Sequence, residues 1–160
     1  MAEQADAADL KSAGREVVRV RFPSAPQKIK TLMPIFKYAH ICEYARAESS
    51  GTVSIIGIFD TIQVAACPAR FPLMHVIVSL SGQKGEDFQF SSRVAGPDGK
   101  VLQQVQPVHI RIENDNARTS QINGYMGMVF PSPGEYMVEI MIDDTVVHTI
   151  PFQVVQRQQR

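Results

Sequence analysis

Between Phe36 and Val155 the chain runs in short stretches where apolar and polar residues alternate, each closed by Gly, Pro, Asn or Asp. Alternation with period two is the signature of a half-buried strand. Met74, Val76, Val78 and Leu80 share one parity against His75, Ser79 and Ser81. Phe88, Phe90 and Val94 alternate with Gln89, Ser91 and Arg93, and Val108, Ile110 and Ile112 with His109, Arg111 and Glu113. Tyr136, Val138, Ile140 and Ile142 give a clean inward set against Glu135, Met137, Glu139 and Met141. The last strand offers Val146, Ile150, Phe152 and Val154. The pattern predicts strands over 36–47, 52–64, 73–80, 86–95, 100–112, 124–130, 135–142 and 145–155.

Turn chemistry fixes where these strands reverse. In Gly96-Pro97-Asp98-Gly99, Pro presets the first central position of a type I turn, Asp suits the second and Gly takes the left-handed position after it. Antiparallel hairpins are predicted there and at Ser49–Gly51, Pro131–Gly134 and Asp143–Asp144. Gly57 marks a bulge inside the second strand, Pro107 demotes its strand to an edge, and 114–123 reads as a polar loop. About eight short strands with turns every ~8–12 residues and little helical periodicity predict an all-β, antiparallel, immunoglobulin-like sandwich, with a small closed barrel as the alternative.

Residues 1–35 break this pattern. An Ala-rich polar start leads to the alternating Val17-Val18-Arg19-Val20-Arg21-Phe22, and Pro23, Pro26 and Pro34 follow. The segment is too short for its own core, so the organisation expected is an extended arm over 1–35, a sandwich over 36–155 and a polar tail over 156–160.

Charge sharpens the arm. The 160 residues carry 16 Lys+Arg and 16 Asp+Glu, a formal net charge of zero. Residues 1–37 hold seven basic groups against four acidic ones, a net +3 that leaves −3 on the remainder. The balance excludes a globally basic nucleic-acid binder. An apolar content of 44% is enough for a core. No apolar run nears the ~20 residues of a membrane span, and the acidic start is unlike a signal peptide. A cytoplasmic protein is expected, with Cys42 and Cys67 as free thiols.

The segments Tyr38-Ala39-His40-Ile41-Cys42-Glu43-Tyr44-Ala45-Arg46 and Gly51-Thr52-Val53-Ser54-Ile55-Ile56-Gly57-Ile58-Phe59-Asp60-Thr61-Ile62, with the close from Pro133-Gly134-Glu135-Tyr136 to Ile150-Pro151-Phe152-Gln153-Val154, resemble an uncharacterised bacterial β-sandwich family, a domain of unknown function. The likeness runs from Phe36 to Val155. It departs at Gly51-Thr52, where the family's hairpin carries Gly-Lys. The resemblance implies the sandwich and implies no activity.

Candidate chemistry is sparse. His40 and Cys42 project from one strand face, and Cys67 and His75 would complete a Cys₂His₂ set or a Cys–His pair, without the spacing of a short zinc motif. Glu113-Asn114-Asp115-Asn116 gathers hard oxygen donors but lacks an EF-hand frame; an Asx-rich turn is the plainer reading. Asp143-Asp144 reads as a hairpin turn. Asp60, a carboxylate within an apolar strand, needs a turn to cap or a partner such as Arg46. No phosphate loop, nucleophile elbow or HExxH motif occurs.

The expected function is a non-enzymatic protein-binding or structural module of a larger assembly, with no cofactor and a protein partner or second copy as its target. Nucleic acid is the lesser alternative for the arm. Docking is expected through Val18, Arg19, Val20, Arg21 and Phe22, which suit strand addition to a sheet edge, and through Met137 and Met141, on the nominally outward face of their strand. The rival is a hydrolase or metal-dependent enzyme built on loops, using Asp60, Asp115 or His109. A sugar-binding module is the second alternative, weakened by the absence of Trp.

Overall fold

A computed structural model describes residues 33–157. Ten strands form two sheets. These are β1 (Ile35–Ala47), β2 (Val53–Ile58), β3 (Thr61–Val64), β4 (Ala69–Gly82), β5 (Asp87–Ala95), β6 (Val101–Gln104), β7 (Val108–Arg111), β8 (Ala117–Phe130), β9 (Gly134–Ile142) and β10 (Thr145–Gln156). One sheet has the order β2-β1-β4-β8 and the other β3-β10-β9-β5-β6, with β7 also on β5. The sheets keep separate edges, so the fold is a sandwich and the barrel alternative falls.

Four departures from the sequence pattern have local causes. The expected strand over 52–64 is two strands in different sheets. Gly57 turns the chain with φ 66°, Phe59 N–H still donates to Ile41 O at 3.1 Å, and the Asp60 carbonyl then accepts Gln153 N–H at 2.8 Å. The chain has crossed between sheets within two residues, and β3 joins β10 in parallel, an exception to the all-antiparallel expectation. The strand over 100–112 is likewise split into β6 and β7, both paired to β5, because Pro107 lacks an N–H for the ladder. The expected loop over 114–123 ends early. From Ala117 onward the chain pairs with β4, Ala117 opposite Gly82 through Phe130 opposite Ala69. Finally, Pro131–Gly134 is no hairpin, since β8 and β9 belong to different sheets.

The other turns form as expected. Gly96 N–H donates to Lys100 O and Gly99 N–H to Gly96 O, with Asp98 Oδ1 accepting Lys100 N–H at 3.1 Å. Asp143 and Asp144 take φ 48° and 62°, the double left-handed geometry of a two-residue hairpin loop.

Between the sheets lie Ile41, Met74, Val76, Val78, Leu80, Phe90, Val94, Tyr125, Phe130, Tyr136, Val138, Ile140, Phe152 and Val154, all buried. Phe130 meets Tyr136 edge-on with ring centroids 5.0 Å apart, and Tyr136 Oη donates to Ser132 O at 2.6 Å. Fully burying such a side chain is worth about 1.5–3 kcal/mol. Two inward assignments change. Val108 is exposed, and Val146 yields to Val147 because the register slips between Val146 and His148. A slip of one residue moves a side chain to the other face.

Candidate interaction surface

The outer face of the four-stranded sheet is unusually apolar. Cross-strand pairing sets Tyr44 beside Ile56, Cys42 between Ile58 and His75, His75 beside Gly124, and Leu73 beside Met126. Ile56, Ile58, Tyr44, Leu73 and Met126 are all exposed, Met126 to 73%. They form a band across all four strands. Cys42, Ala45 and Ile77 form a small buried cluster in this sheet, with Val53, Ile55 and Ile122 packed against it. The His75 ring is fixed in the band by its Nδ1, 2.9 Å from the Glu43 carbonyl, and by the Tyr44 ring edge at 5.7 Å. A carbonyl only accepts, so Nδ1 carries the proton and Nε2 is left to the outside.

At one end of this sheet β8 is an edge strand of 14 residues, paired only to β4 among the described residues. It has no Pro or Lys and a single charge, Arg118. Of the two methionines expected to form an exposed surface, Met137 is 39% exposed and Met141 only 3%. On the central strand β9, Met141 lies opposite Ser91 and Val146, whereas Met137 lies opposite Ala95 and Pro151. The expected exposure therefore belongs to Met137 alone. Val18, Arg19, Val20, Arg21 and Phe22 lie outside the described residues.

The catalytic and metal candidates are dispersed. Cys42 and His75 are paired neighbours, but burial pushes the Cys42 thiol up from its ordinary value, which opposes thiolate chemistry. Cys67 lies in the β3–β4 connection. Asp60 is an exposed carboxylate at the crossing between sheets, accepting the Thr61 hydroxyl at 3.0 Å. Arg46 pairs with Glu48 instead, at 2.5 Å. Asp115 Oδ1 accepts Lys84 N–H and Asn116 Oδ1 accepts Gln83 Nε2–H, so this loop ties itself to the β4–β5 connection. His109 pairs with Asp87. Asp60 follows the stretch opposite Ile41 and Val76, whereas Asp115 abuts Lys84. From Val76 to its end at Gly82 β4 runs six residues, roughly 20 Å, and Lys84 lies beyond that end. No group of three His, Cys, Asp or Glu is arranged to hold a metal among the described residues.

A groove of about 300 Å³ opens between β1, the β2–β3 junction and β10, with His40, Phe59, Asp60 and Pro151 among its walls. His40 stacks on Tyr38 with centroids 5.6 Å apart, and no third polar group completes a catalytic set there.

Sequence reasoning missed three features. Asn123 Nδ2 donates to Ser92 Oγ at 2.6 Å, and the Tyr125 hydroxyl meets the same oxygen at 2.6 Å. Glu86 is buried with Oε2 unpartnered among the described residues. The apolar band had one signal available: Ile55, Ile56 and Ile58 place apolar side chains on both parities of one short strand.

No helix long and apolar enough to cross a membrane is found among the described residues. No curated protein matches the chain. Among solved structures, a β-glucosidase from Listeria innocua is similar at 8% identity and TM-score 0.45, over 73% of this chain and 16% of that one. The chain thus spans a small part of that enzyme. An immunoglobulin-like protein from Pseudomonas aeruginosa is similar at 16% identity and TM-score 0.37, over 74% of this chain and 98% of that one. The CARDB domain of a Pyrococcus furiosus protein, in complex with di-metal ions, is similar at 12% identity and TM-score 0.37, over 79% and 97%. The family model that matches covers residues 37–155, nearly the whole stretch singled out by its motifs, and the chain belongs to the family of unknown function DUF6941.

Proposed function

We propose that this protein is a non-enzymatic, cytoplasmic protein-binding module, an accessory or structural subunit of a larger assembly. The observation that carries the reading is the exposed apolar band of Tyr44, Ile56, Ile58, Leu73 and Met126. A contiguous exposed apolar patch, unlike apolar side chains scattered singly, is a mark of a docking surface. The dispersal of Asp60, Asp115 and His109 favours it over the loop-built enzyme. The arm supports the same reading from sequence. Val18, Val20 and Phe22 on one parity and Arg19 and Arg21 on the other suit strand addition to a sheet edge. The net +2 of residues 1–35 against −2 on the remainder gives an attraction that salt weakens.

The test is native capture from a lysate with mass spectrometry, using the full chain, an Ile56→Glu/Ile58→Glu variant and a chain lacking residues 1–32. The expected result is a stoichiometric protein partner that the double variant loses while keeping its melting temperature. No partner with the full chain, together with stoichiometric bound metal and turnover, overturns the reading in favour of the enzyme. Unchanged partners and mass after truncation remove the arm from it.

A further inference from the structure

Met126 and Met128 stand two residues apart on β8, where a regular strand would put both on one face. Between them Gly127 takes φ 62°, a left-handed conformation that suits glycine, and the alternation of side chains reverses there. Tyr125 and Met128 are both buried in the core, whereas Met126 faces out beside Leu73. Met126 is 73% exposed, the most exposed large apolar side chain among the described residues. Its surroundings account for this. The preceding residue on the same face, Gly124, has no side chain, and β8 is an edge strand with no further neighbour among the described residues. Of the other described methionines, Met33 and Met137 are 54% and 39% exposed, and Met74, Met128 and Met141 are buried.

We propose that Met126 is a peroxide-sensitive modification site, whose sulfoxide closes the apolar band as a docking surface. The inference rests on the reading of the protein as an interaction module and adds a means of regulating it. Methionine oxidation follows access to the thioether, and Met126 offers the most. The sulfur lone pair attacks one oxygen of a hydroperoxide, the O–O bond breaks and that oxygen passes to sulfur. Sulfur is oxidised by two electrons, and the hydroperoxide is reduced to its alcohol, or hydrogen peroxide to water. The product is a polar side chain in place of a flexible apolar one.

The band is poorly equipped to receive that oxygen. On the neighbouring rung His75 lies opposite Gly124, with the proton of its Nδ1 committed to the Glu43 carbonyl. Its Nε2 therefore has no proton to donate to a sulfoxide. A partner seated on the band would bury the new oxygen unpaired, which weakens docking by about ten-fold or more. A methionine sulfoxide reductase, taking two electrons from a dithiol, removes the oxygen as water and restores the surface.

The experiment uses the full-length chain in a Cys67→Ser background, which removes the less buried thiol. Hydrogen peroxide is added, and peptide mass spectrometry follows each methionine. Met126 is expected to gain oxygen first, ahead of Met33 and Met137 and about ten-fold or more faster than Met74, Met128 and Met141. Retention on a hydrophobic-interaction column is expected to fall in step with Met126. Met126→Gln should show that fall without peroxide, and Met126→Leu should resist it, both at the wild-type melting temperature. The protein partner captured by the untreated chain should be lost from the oxidised chain, kept by oxidised Met126→Leu, and regained after treatment with the reductase and dithiothreitol. Another methionine oxidised first, or a partner held equally before and after oxidation of Met126, overturns the proposal and leaves the interaction-module reading standing. Absence of any partner for the untreated chain overturns that reading itself, and the switch with it.

Discussion

The Tyr125 hydroxyl lies 2.6 Å from Ser92 Oγ, joining β8 of one sheet to β5 of the other through the middle of the core. Ser92 Oγ also accepts from Asn123 Nδ2, so one small side chain satisfies two buried groups. Burial pushes the Tyr125 phenol up to about 12 from an ordinary value of 10.0, and the Ser92 bond offsets this only in part. A pKa raised by folding contributes stability that is fully present below the unfolded value and is lost as pH rises through the folded one. Wild type should therefore lose on the order of 2–3 kcal/mol between pH 10 and 12 from this group. Tyr125→Phe should flatten that loss in denaturant titrations and cost about 1 kcal/mol at pH 7. Ser92→Ala should cost more, about 2–3 kcal/mol, because it orphans Asn123 and Tyr125 together.

Glu86 and Gly82 form a second buried pair. A Cβ on Gly82 would overlap Glu86 Oε2 and come within 2.9 Å of Ile112 Cγ1. Gly82→Ala should cost about 1–3 kcal/mol by overpacking. Glu86→Ala removes an unpartnered carboxylate oxygen and should relieve most of that cost, giving a coupling of about 1 kcal/mol or more in a double-mutant cycle. Additive single effects in chemical denaturation would show that the two positions do not share this space.

The two methionines of β9 separate cleanly by charge insertion. Met137→Lys, on an exposed position, should change stability by less than about 0.5 kcal/mol. Met141→Lys, beneath its neighbours, should cost about 2–4 kcal/mol, the penalty of an unpaired buried charge. Melting curves of the two variants check the difference.

In the β9–β10 turn the two aspartates are not equivalent. Asp144 sits at φ 62° with no side-chain hydrogen bond among the described residues, whereas Asp143 Oδ1 accepts Gln89 N–H at 2.8 Å. Asp144→Gly should be neutral or stabilise by up to about 1 kcal/mol through relief of the left-handed backbone. Asp143→Gly gains the same relief and loses a charge-assisted bond of about 1.5–3 kcal/mol, so it should destabilise.

What the sequence disclosed followed from local physics. The alternation of Tyr136, Val138, Ile140 and Ile142 sufficed for β9, and Pro97-Asp98-Gly99 for the turn between β5 and β6, because each depends only on neighbours in the chain. The first half of β8 escaped because Thr119, Gln121 and Asn123 are polar residues at positions of the inner parity, and the partner that satisfies Asn123 stands 31 residues away on the opposite sheet. The crossing at Gly57 escaped for a different reason: the apolar run continues through it, and the change of sheet is written in backbone geometry. The apolar band needed the register of three strand pairs before Tyr44, Leu73 and Met126 became neighbours. Met141 shares the parity of the exposed Met137, and its burial goes with different cross-strand neighbours, Ser91 and Val146.

The parallel pairing of β3 with β10 also sets the order of events during synthesis. Thr61 finds its place opposite Gln153, about ninety positions later, and contacts of that span slow folding because the loop must close before any bond rewards it. At ~5–20 residues per second, a ribosome needs several seconds to deliver β10 after β3 has emerged. Through that interval Ile62 and Val64 have no strand to join, so the nascent chain is most vulnerable to aggregation until its last strand arrives.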